Sequence, residues 1–263
     1  MEVKLATLLL ACAAAACTSA RHDTSPDAPI GGANRALAVP APASATGVMR
    51  VHCIDVGQGS ATLFEFPSGA VLVDAGGESN ASFEFEDELR LYLAEFFARR
   101  LDLNGELTSL ILTHPYVDHT RGVELVLDHW PPRNVVTNGQ TYGSGSRGQR
   151  HAYALQHEPD GVGCRAVQVE QIPAAGLSDA VIDPIGPAGP GLPDPMLTIL
   201  WGERQTDPGD WGESFGKPRF ANNNNHSIVL RVDYGDASVL VTGDLEDVAI
   251  EDMLQRYAGS GVL

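Results

Sequence analysis

Basic residues are scarce in this sequence. Its 263 residues include 17 lysines and arginines against 34 aspartates and glutamates, a formal net charge of −17. Such a chain repels polyanions, which argues against non-specific binding to nucleic acid or to an anionic membrane surface. Four scattered arginines in the middle of the chain, Arg133, Arg147, Arg150 and Arg165, do not make a basic stripe. Nucleic acid is therefore disfavoured as a partner, although cations bound in a cleft can reverse the local field.

Signatures of nucleophilic enzymes and of nucleotide-binding proteins are absent. No Ser-His-Asp or Cys-His pattern is present, and SGSRGQ lacks the strand-to-helix spacing of a phosphate loop, so a plain loop is predicted there. Cysteine is also scarce, with four in the chain. Cys53 lies in the apolar pattern VHCIDV and is predicted to be a small core residue, although Cys53 and Cys164 can pair in an exported protein.

The sequence has no apolar run long enough to cross a membrane. Residues 1–17, MEVKLATLLLACAAAAC, combine one early lysine with a short apolar stretch and predict a signal peptide. The alanines before Cys17 resemble a bacterial lipoprotein cleavage box, so we expect an exported protein, periplasmic or anchored at the cell surface or outer membrane only by a lipid. A plain cleaved signal and an uncleaved apolar tail are the alternatives. Residues 18–46, rich in Ala, Pro, Ser and Gly, predict a flexible linker.

From residue 47 to residue 263 the pattern predicts one domain. Short β-branched runs bounded by Gly, Pro and Asp predict strands in MRVHCIDV, SATLFEF, AVLVDAGG, LTSLILTH, RNVVTN, RAVQVEQI, AVIDPI, MLTILWG, SIVLRVDYG and ASVLVTGD. Helical spacing appears in residues 83–100, from near Asp118 to Trp130, and in residues 245–259. Strands interleaved with a few helices predict an α/β (α+β) fold with mixed sheets covered by helices.

The stretch THPYVDHTRG, residues 113–122, carries the main chemical signal. The strand LTSLILT ends at Thr113, so His114, Asp118 and His119 emerge at the carboxyl edge of a sheet. Imidazole and carboxylate together suit zinc, manganese or iron, whereas a surface loop with a capping Asp118 is the alternative.

Aspartates beside glycine end two further strands. Asp74 ends AVLVDAGG and Asp244 ends VLVTGDLE. Because glycine lets the backbone turn closely around a site, these carboxylates are expected at one edge, although each alone is typical of a turn.

Four stretches in this order resemble the metallo-β-lactamase fold, in particular the hydrolase domain of ComEC-type competence proteins and its stand-alone relatives. They are HCIDVGQG (52–59), VLVDAGG (71–77), LILTHPYVDH (110–119) and NNHSIVLRVDYGDASVLVTGDLE (224–246). The resemblance implies an αββα sandwich of two mixed β-sheets flanked by helices, with up to two metal ions at one edge.

The resemblance also assigns roles to individual residues. It implies that His114 is a ligand of the first metal, that Asp118 and His119 are ligands of the second, and that Asp244 bridges both. Asp74 matches an aspartate that braces the metal loop. Zinc is the favoured ion, with manganese or iron as alternatives.

The sequence departs from the family pattern at two points. Tyr116 stands where the family places a histidine or an aspartate, so the first metal site is expected to be weakened. The chain also stops at GSGVL, before the strand with histidines that the family pattern leads us to expect, so a C-terminally incomplete domain is expected. His226, His151 and His157 are candidate further ligands, with an exposed loop histidine as the alternative for each.

These features predict an exported metal-dependent hydrolase. A divalent ion would activate water for attack on an ester, amide, lactone or phosphodiester, and Asp118 would orient that water or accept its proton. A small molecule or a phosphodiester is the expected substrate. The alternatives are a ComEC-like nuclease or phosphodiesterase, and a degenerate, non-catalytic surface binding protein.

Overall fold

The computed structural model describes residues 6–10, 42–81, 83–159, 161–204 and 220–263. Most of the predicted signal peptide and linker therefore lies outside the described residues. The strands are β1 (Ala6–Leu10), β2 (Arg50–Cys53), β3 (Thr62–Phe66), β4 (Gly69–Val73), β5 (Ser79–Asn80), β6 (Phe83–Glu84), β7 (Leu107–Leu112), β8 (Pro132–Thr137), β9 (Gly163–Ala166), β10 (Met196–Trp201), β11 (Val229–Tyr234) and β12 (Ala237–Val241). The α-helices are α1 (Ala43–Thr46), α2 (Phe85–Arg99), α3 (Val117–Thr120), α4 (Val123–His129), α5 (Ser146–Ala154) and α6 (Asp247–Tyr257). In the described part of the chain, no helix has the length and hydropathy of a membrane span.

Two mixed sheets form the centre of the fold. The larger sheet has the order β2-β3-β4-β7-β8-β9, antiparallel from β2 to β4 and parallel from β4 to β9. The smaller sheet has the order β1-β12-β11-β10, in which the backbone of β1 pairs parallel with β12. The short polar connection YGD between SIVLRVD and ASVLVTG predicts a hairpin, which is confirmed: β11 and β12 are antiparallel, and Tyr234 pairs with Ala237 across a two-residue turn whose Gly235 has φ 61°.

Three apolar cores separate four layers. Adjacent residues of β3 face opposite ways: Leu63 packs toward α2 and α4, whereas Phe64 packs between the two sheets with Leu230. The third core joins the outer face of the smaller sheet to α6 through Trp201 and Met253. The predicted αββα sandwich is therefore confirmed.

The helix expected from Asp118 onward is broken in two. The helix α3 ends at Thr120 and α4 begins at Val123. Between them the Gly122 amide donates to the Ala75 carbonyl at 2.6 Å, and a Cβ at Gly122 would lie 2.8 Å from Leu89 Cδ2. The backbone at Gly122 therefore contacts the loop that follows β4, and this contact interrupts the helix.

Two other expectations about secondary structure and burial were wrong. AVIDPI is a turn, because Asp179 Oδ1 accepts hydrogen bonds from the Val181 and Ile182 amides at 2.9 and 3.1 Å, which offers the backbone an alternative to a strand. The helical spacing of apolar residues in 245–259 favours buried positions for Ile250 and Leu254, but both side chains of α6 are exposed.

The two cysteines of the domain lie far apart. Cys53 is exposed on β2 and Cys164 is partly buried on β9, so the expectation that Cys53 is a core residue was wrong. These strands form opposite edges of the six-stranded sheet, where neighbouring strands are about 4.8 Å apart. Pairing of the two thiols is therefore excluded by the fold.

A buried ion pair supports β3, the strand next to the edge strand β2 of the larger sheet. Glu65 and Arg100 are both fully buried, and Arg100 Nη1 donates to Glu65 Oε1 at 3.1 Å. Arg100 also donates to the Phe66 and Pro67 carbonyls, and the Ala43 amide donates to Glu65 Oε1 at 2.8 Å. Burial alone would raise the pKa of Glu65, but its hydrogen bonds with His52, the Ala43 amide and Arg100 outweigh burial and lower that pKa to about 2.

Replacing Arg100 with methionine should destabilise the domain by about 3–5 kcal/mol, because the buried Glu65 carboxylate would lose its fully buried guanidinium partner. Chemical denaturation measures the change in the free energy of unfolding. The control is Arg133→Met, which removes an arginine from an exposed pair with Glu106 and should change stability by less than about 1 kcal/mol. Equal effects of the two substitutions would contradict this role of Arg100.

The lowered pKa of Glu65 predicts an acid dependence of stability. Its folded pKa of about 2 lies below the ordinary value of 4.5, so its stabilising contribution is complete above about pH 4.5 and is lost as the pH falls toward 2. The free energy of unfolding of the Glu65→Gln variant should therefore fall less steeply between pH 4.5 and 2 than that of the unsubstituted protein. Parallel curves would contradict the assignment.

Candidate metal centre

Asp74 and the histidine loop meet at the carboxyl edge of the parallel strands β4 and β7. The Asp74 amide donates to the Ile111 carbonyl at 2.8 Å, which continues the pairing of the two strands. The Asp74 carboxylate accepts from the Thr113 amide at 2.8 Å and from the Thr113 hydroxyl at 2.9 Å. Asp74 has φ 59°, a left-handed conformation that aspartate tolerates better than most residues.

Glycine turns press closely against the short helix α3. The Ser60 amide donates to the Asp118 carbonyl at 3.0 Å, and the Ala75 amide donates to the His119 carbonyl at 2.9 Å. A Cβ at Gly76 would lie 1.6 Å from the Asp118 carbonyl oxygen, so no side chain fits at this position. The DVGQG and DAGG turns thus fix the backbone that carries His119.

Three ligand atoms come together at this edge. One nitrogen of His114, one nitrogen of His119 and one carboxylate oxygen of Asp244 lie within 4.8 Å of one another. His114 and His119 follow β7 in the larger sheet, whereas Asp244 follows β12 in the smaller one. The centre therefore spans the two sheets.

Hydrogen bonds set which nitrogen each imidazole presents. His119 Nδ1 donates to Asp74 Oδ2 at 2.7 Å. The other ring nitrogen, Nε2, therefore faces Asp244 and lies 3.2 Å from its Oδ1. The Thr113 hydroxyl donates its one hydrogen bond to Asp74. It therefore acts as the acceptor for His114 Nδ1, which lies 3.2 Å from Thr113 Oγ1.

His114 Nε2 is thereby left as a bare acceptor. It is buried and has no hydrogen-bond partner among the described residues. A buried polar atom without a partner is costly, whereas a cation at this position would satisfy it. The donor set of two imidazole nitrogens and one carboxylate oxygen fits zinc, and it leaves room for water as a fourth ligand.

The electrostatics favour a cation between these groups. Burial lowers the pKa of His114, and the neighbouring His119 lowers it further. Burial alone would lower the pKa of His119, but the carboxylates of Asp74 and Asp244 outweigh burial and raise it. Burial alone would raise the pKa of Asp244, but its hydrogen bond with His119 lowers that pKa. A positive charge between His119 and Asp244 is thus stabilised.

Asp118 and Tyr116 lie beside the centre, outside the three-residue group. Asp118 is partly exposed, and its predicted role as a ligand stays a prediction. The Tyr116 ring packs edge-on against His114 at 5.0 Å between ring centroids, while its hydroxyl points to Asn222 Oδ1 at 3.5 Å. Burial and the nearby Glu246 carboxylate raise the pKa of Tyr116, so its phenol stays neutral at physiological pH.

The further histidine candidates are engaged elsewhere. His226 is buried, its Nδ1 accepts from the Arg204 amide at 3.0 Å, and its Nε2 donates to the Phe220 carbonyl at 2.8 Å. His151 lies 3.7 Å from Glu124, and His157 contacts Gln156. Asp244 is thus the third member of the group.

Sequence reasoning assigned no role to several residues next to Asp244. The Ser227 hydroxyl accepts from the Asp244 amide at 3.3 Å, and Asn222 and Asn224 bond the Glu246 carboxylate. The run of asparagines at residues 222–225 is the sequence feature that marks this segment. Their partners are distant in sequence, so the run alone does not show what the asparagines bind.

Replacing Asp74 with asparagine should weaken metal binding about 10- to 100-fold, because an amide cannot accept from Thr113 and His119 together. Asparagine tolerates positive φ as well, so the variant tests the carboxylate rather than the backbone. Titration with Zn²⁺ against a competing chelator measures the affinity. Asp128→Asn, at an exposed position of α4, is the control with the same charge change. Unchanged affinity in Asp74→Asn would contradict the bracing role.

Comparison with protein families agrees with this fold. The family model of the metallo-beta-lactamase superfamily matches residues 54–261. Among solved structures, the metallo-beta-lactamase fold protein YhfI from Bacillus subtilis is 16% identical, with a TM-score of 0.37; the alignment covers 74% of this chain and 62% of YhfI. No curated protein matches the chain. Because the family match covers most of the chain and all three members of the candidate metal group, the chain belongs to the metallo-beta-lactamase superfamily.

Proposed function

We propose that this protein is a metal-dependent hydrolase that holds one divalent ion, with zinc favoured, through His114, His119 and Asp244. Two observations carry the proposal: ligand atoms of these three residues lie within 4.8 Å of one another, and His114 Nε2 is buried without a hydrogen-bond partner among the described residues. Two imidazoles and a carboxylate suit zinc best, with manganese and iron as the alternatives.

Three protein ligands with a further position for water are typical of catalytic rather than structural zinc sites. When bound, the ion supplies Lewis acidity and lowers the pKa of water toward neutrality. The chain's own contribution is orientation: Asp74 and Thr113 fix both imidazoles so that each presents Nε2. Because these bonds exist before an ion binds, the ligands need little reorganisation.

Asp118 is our candidate for accepting the proton of the attacking water. It precedes the ligand His119 in α3 and is partly exposed, so its carboxylate is accessible from solvent. A general base must lie within hydrogen-bonding reach of the proton that it accepts, directly or through one water. Asp118→Asn should therefore lower kcat, whereas the ligand role that the resemblance implies for Asp118 would lower zinc affinity as well.

Tyr116 supports one ion rather than two. It stands where the family pattern places a ligand, yet its hydroxyl points to Asn222 Oδ1 at 3.5 Å. A neutral phenol is a poor metal ligand compared with imidazole or carboxylate. We infer that this substitution removes a ligand that a separate first ion would need, so that His114 joins His119 and Asp244 around one ion.

Carbonyl and phosphoryl esters both remain in the proposed substrate class. The reaction is hydrolysis of an ester, amide, lactone or phosphodiester. The ComEC-like nuclease stays the alternative within enzymes, and the net charge of −17 weighs against it. Export as a lipoprotein likewise stays a prediction from residues 1–17.

Purified protein should bind one Zn²⁺ per chain, and zinc at 100 times Kd should raise the free energy of unfolding by about 2.7 kcal/mol. His114→Ala should lose most of this affinity and the zinc-dependent hydrolysis of nitrophenyl ester and phosphodiester substrates. His151→Ala is the matched control, because this histidine is exposed and lies outside the group. Hydrolysis that survives both His114→Ala and Asp244→Ala would overturn the proposal, and zinc binding without hydrolysis would favour the non-catalytic binding protein.

A further inference from the structure

Asp244 needs support beyond its contact with His119 Nε2 at 3.2 Å. His114 and His119 are buried and follow one strand, whereas Asp244 comes from the other sheet and its side chain is 25% exposed. A carboxylate on a partly exposed turn has many conformations to lose when it binds an ion. Neighbouring residues that restrict those conformations therefore strengthen binding without touching the ion.

Residues 222–227, which we name the support segment, are hydrogen-bonded to both sheets. The Asn138 side chain, directly after β8 of the larger sheet, donates to the His226 carbonyl at 2.9 Å. The Trp201 indole, at the end of β10 of the smaller sheet, donates to the Asn225 carbonyl at 2.9 Å. The segment is thus attached to both sheets at the edge that carries the metal group.

The support segment holds the Asp244 turn at two points. The Ser227 hydroxyl accepts from the Asp244 amide at 3.3 Å. Glu246 lies two residues beyond Asp244. Its Oε2 accepts from the side-chain Nδ2 of Asn222 at 2.8 Å, and its Oε1 accepts from the side-chain Nδ2 of Asn224 at 2.9 Å. Both oxygens of one carboxylate are therefore held by two side chains of the segment, an arrangement with charge-assisted hydrogen bonds.

The orientation of Asn222 follows from its partners. The backbone N–H of Asn224 donates to Asn222 Oδ1 at 3.1 Å. The other side-chain atom of Asn222, Nδ2, is therefore directed at Glu246. The same Oδ1 lies 3.5 Å from the Tyr116 hydroxyl in the loop that carries the histidines. Asn222 thereby links the histidine loop to the Asp244 turn.

We infer that Asn222, Asn224 and Glu246 are positioning residues that hold Asp244 where a single ion also reaches His114 and His119. This inference rests on the proposed metal site and extends it to residues that do not contact the ion. Glu246 is also the N-cap residue of α6, without a side-chain capping bond of its own. A role confined to that helix would change stability, whereas a positioning role changes metal affinity.

The test compares zinc affinity with the stability of the metal-free protein in four variants. Glu246→Ala removes both acceptors, and Glu246→Gln removes the same charge but keeps one carbonyl acceptor. Asn222→Ala/Asn224→Ala removes both donors. Asp247→Asn is the matched control, because it removes one negative charge at the next, exposed position of α6.

Glu246→Ala and the double asparagine variant should weaken zinc binding about 10-fold or more, and Glu246→Gln should lie between Glu246→Ala and the control. Thermal midpoints measured in excess chelator should agree among Glu246→Ala, Glu246→Gln and Asp247→Asn. Affinities of the Glu246 variants equal to that of Asp247→Asn would overturn the inference, as would affinity losses matched by losses of metal-free stability. If the unsubstituted protein binds no zinc, the proposed function fails and the inference fails with it; zinc binding that depends on His114 but not on Glu246 removes the inference alone.

Discussion

The candidate centre depends on the buried carboxylate of Asp74. Its two oxygens accept three hydrogen bonds, from the Thr113 amide, the Thr113 hydroxyl and His119 Nδ1. These bonds join the ends of β4 and β7, fix His119 directly and fix His114 through the Thr113 hydroxyl. A buried carboxylate of this kind is stable only when its acceptors are satisfied, so the same bonds that stabilise the fold also orient the imidazoles.

The sandwich brings this prepared loop to a carboxylate from the second sheet. Apolar residues of both sheets form the shared core, and the edge above that core carries His114 and His119 on one side and Asp244 on the other. Glycine at position 76 allows the closest approach of turn and helix, because any side chain there would overlap the Asp118 carbonyl. Stability and site geometry thus come from the same contacts at the sheet edge.

Much of this arrangement follows from the sequence, because strand-end residues collect where parallel strands end together. His114 and His119 were predicted in this way, whereas Asp244 was expected at the same edge because it ends a strand next to a glycine; the structure brings all three into one group. The break before Gly122, the turn at 180–185 and the exposure of Ile250 depend on contacts between distant segments, which local periodicity does not contain. The direction of the Tyr116 hydroxyl also depends on a distant segment, because its partner Asn222 lies 106 residues away in the sequence.

X-ray absorption at the zinc edge of the purified, zinc-loaded protein tests the central claim most directly. One zinc per chain, bound by nitrogen and oxygen ligands at about 2.0–2.2 Å that include two imidazoles, is the expected spectrum. Scattering from a second zinc at about 3.5–4 Å, or a first shell without imidazole, would contradict a single ion held by His114, His119 and Asp244.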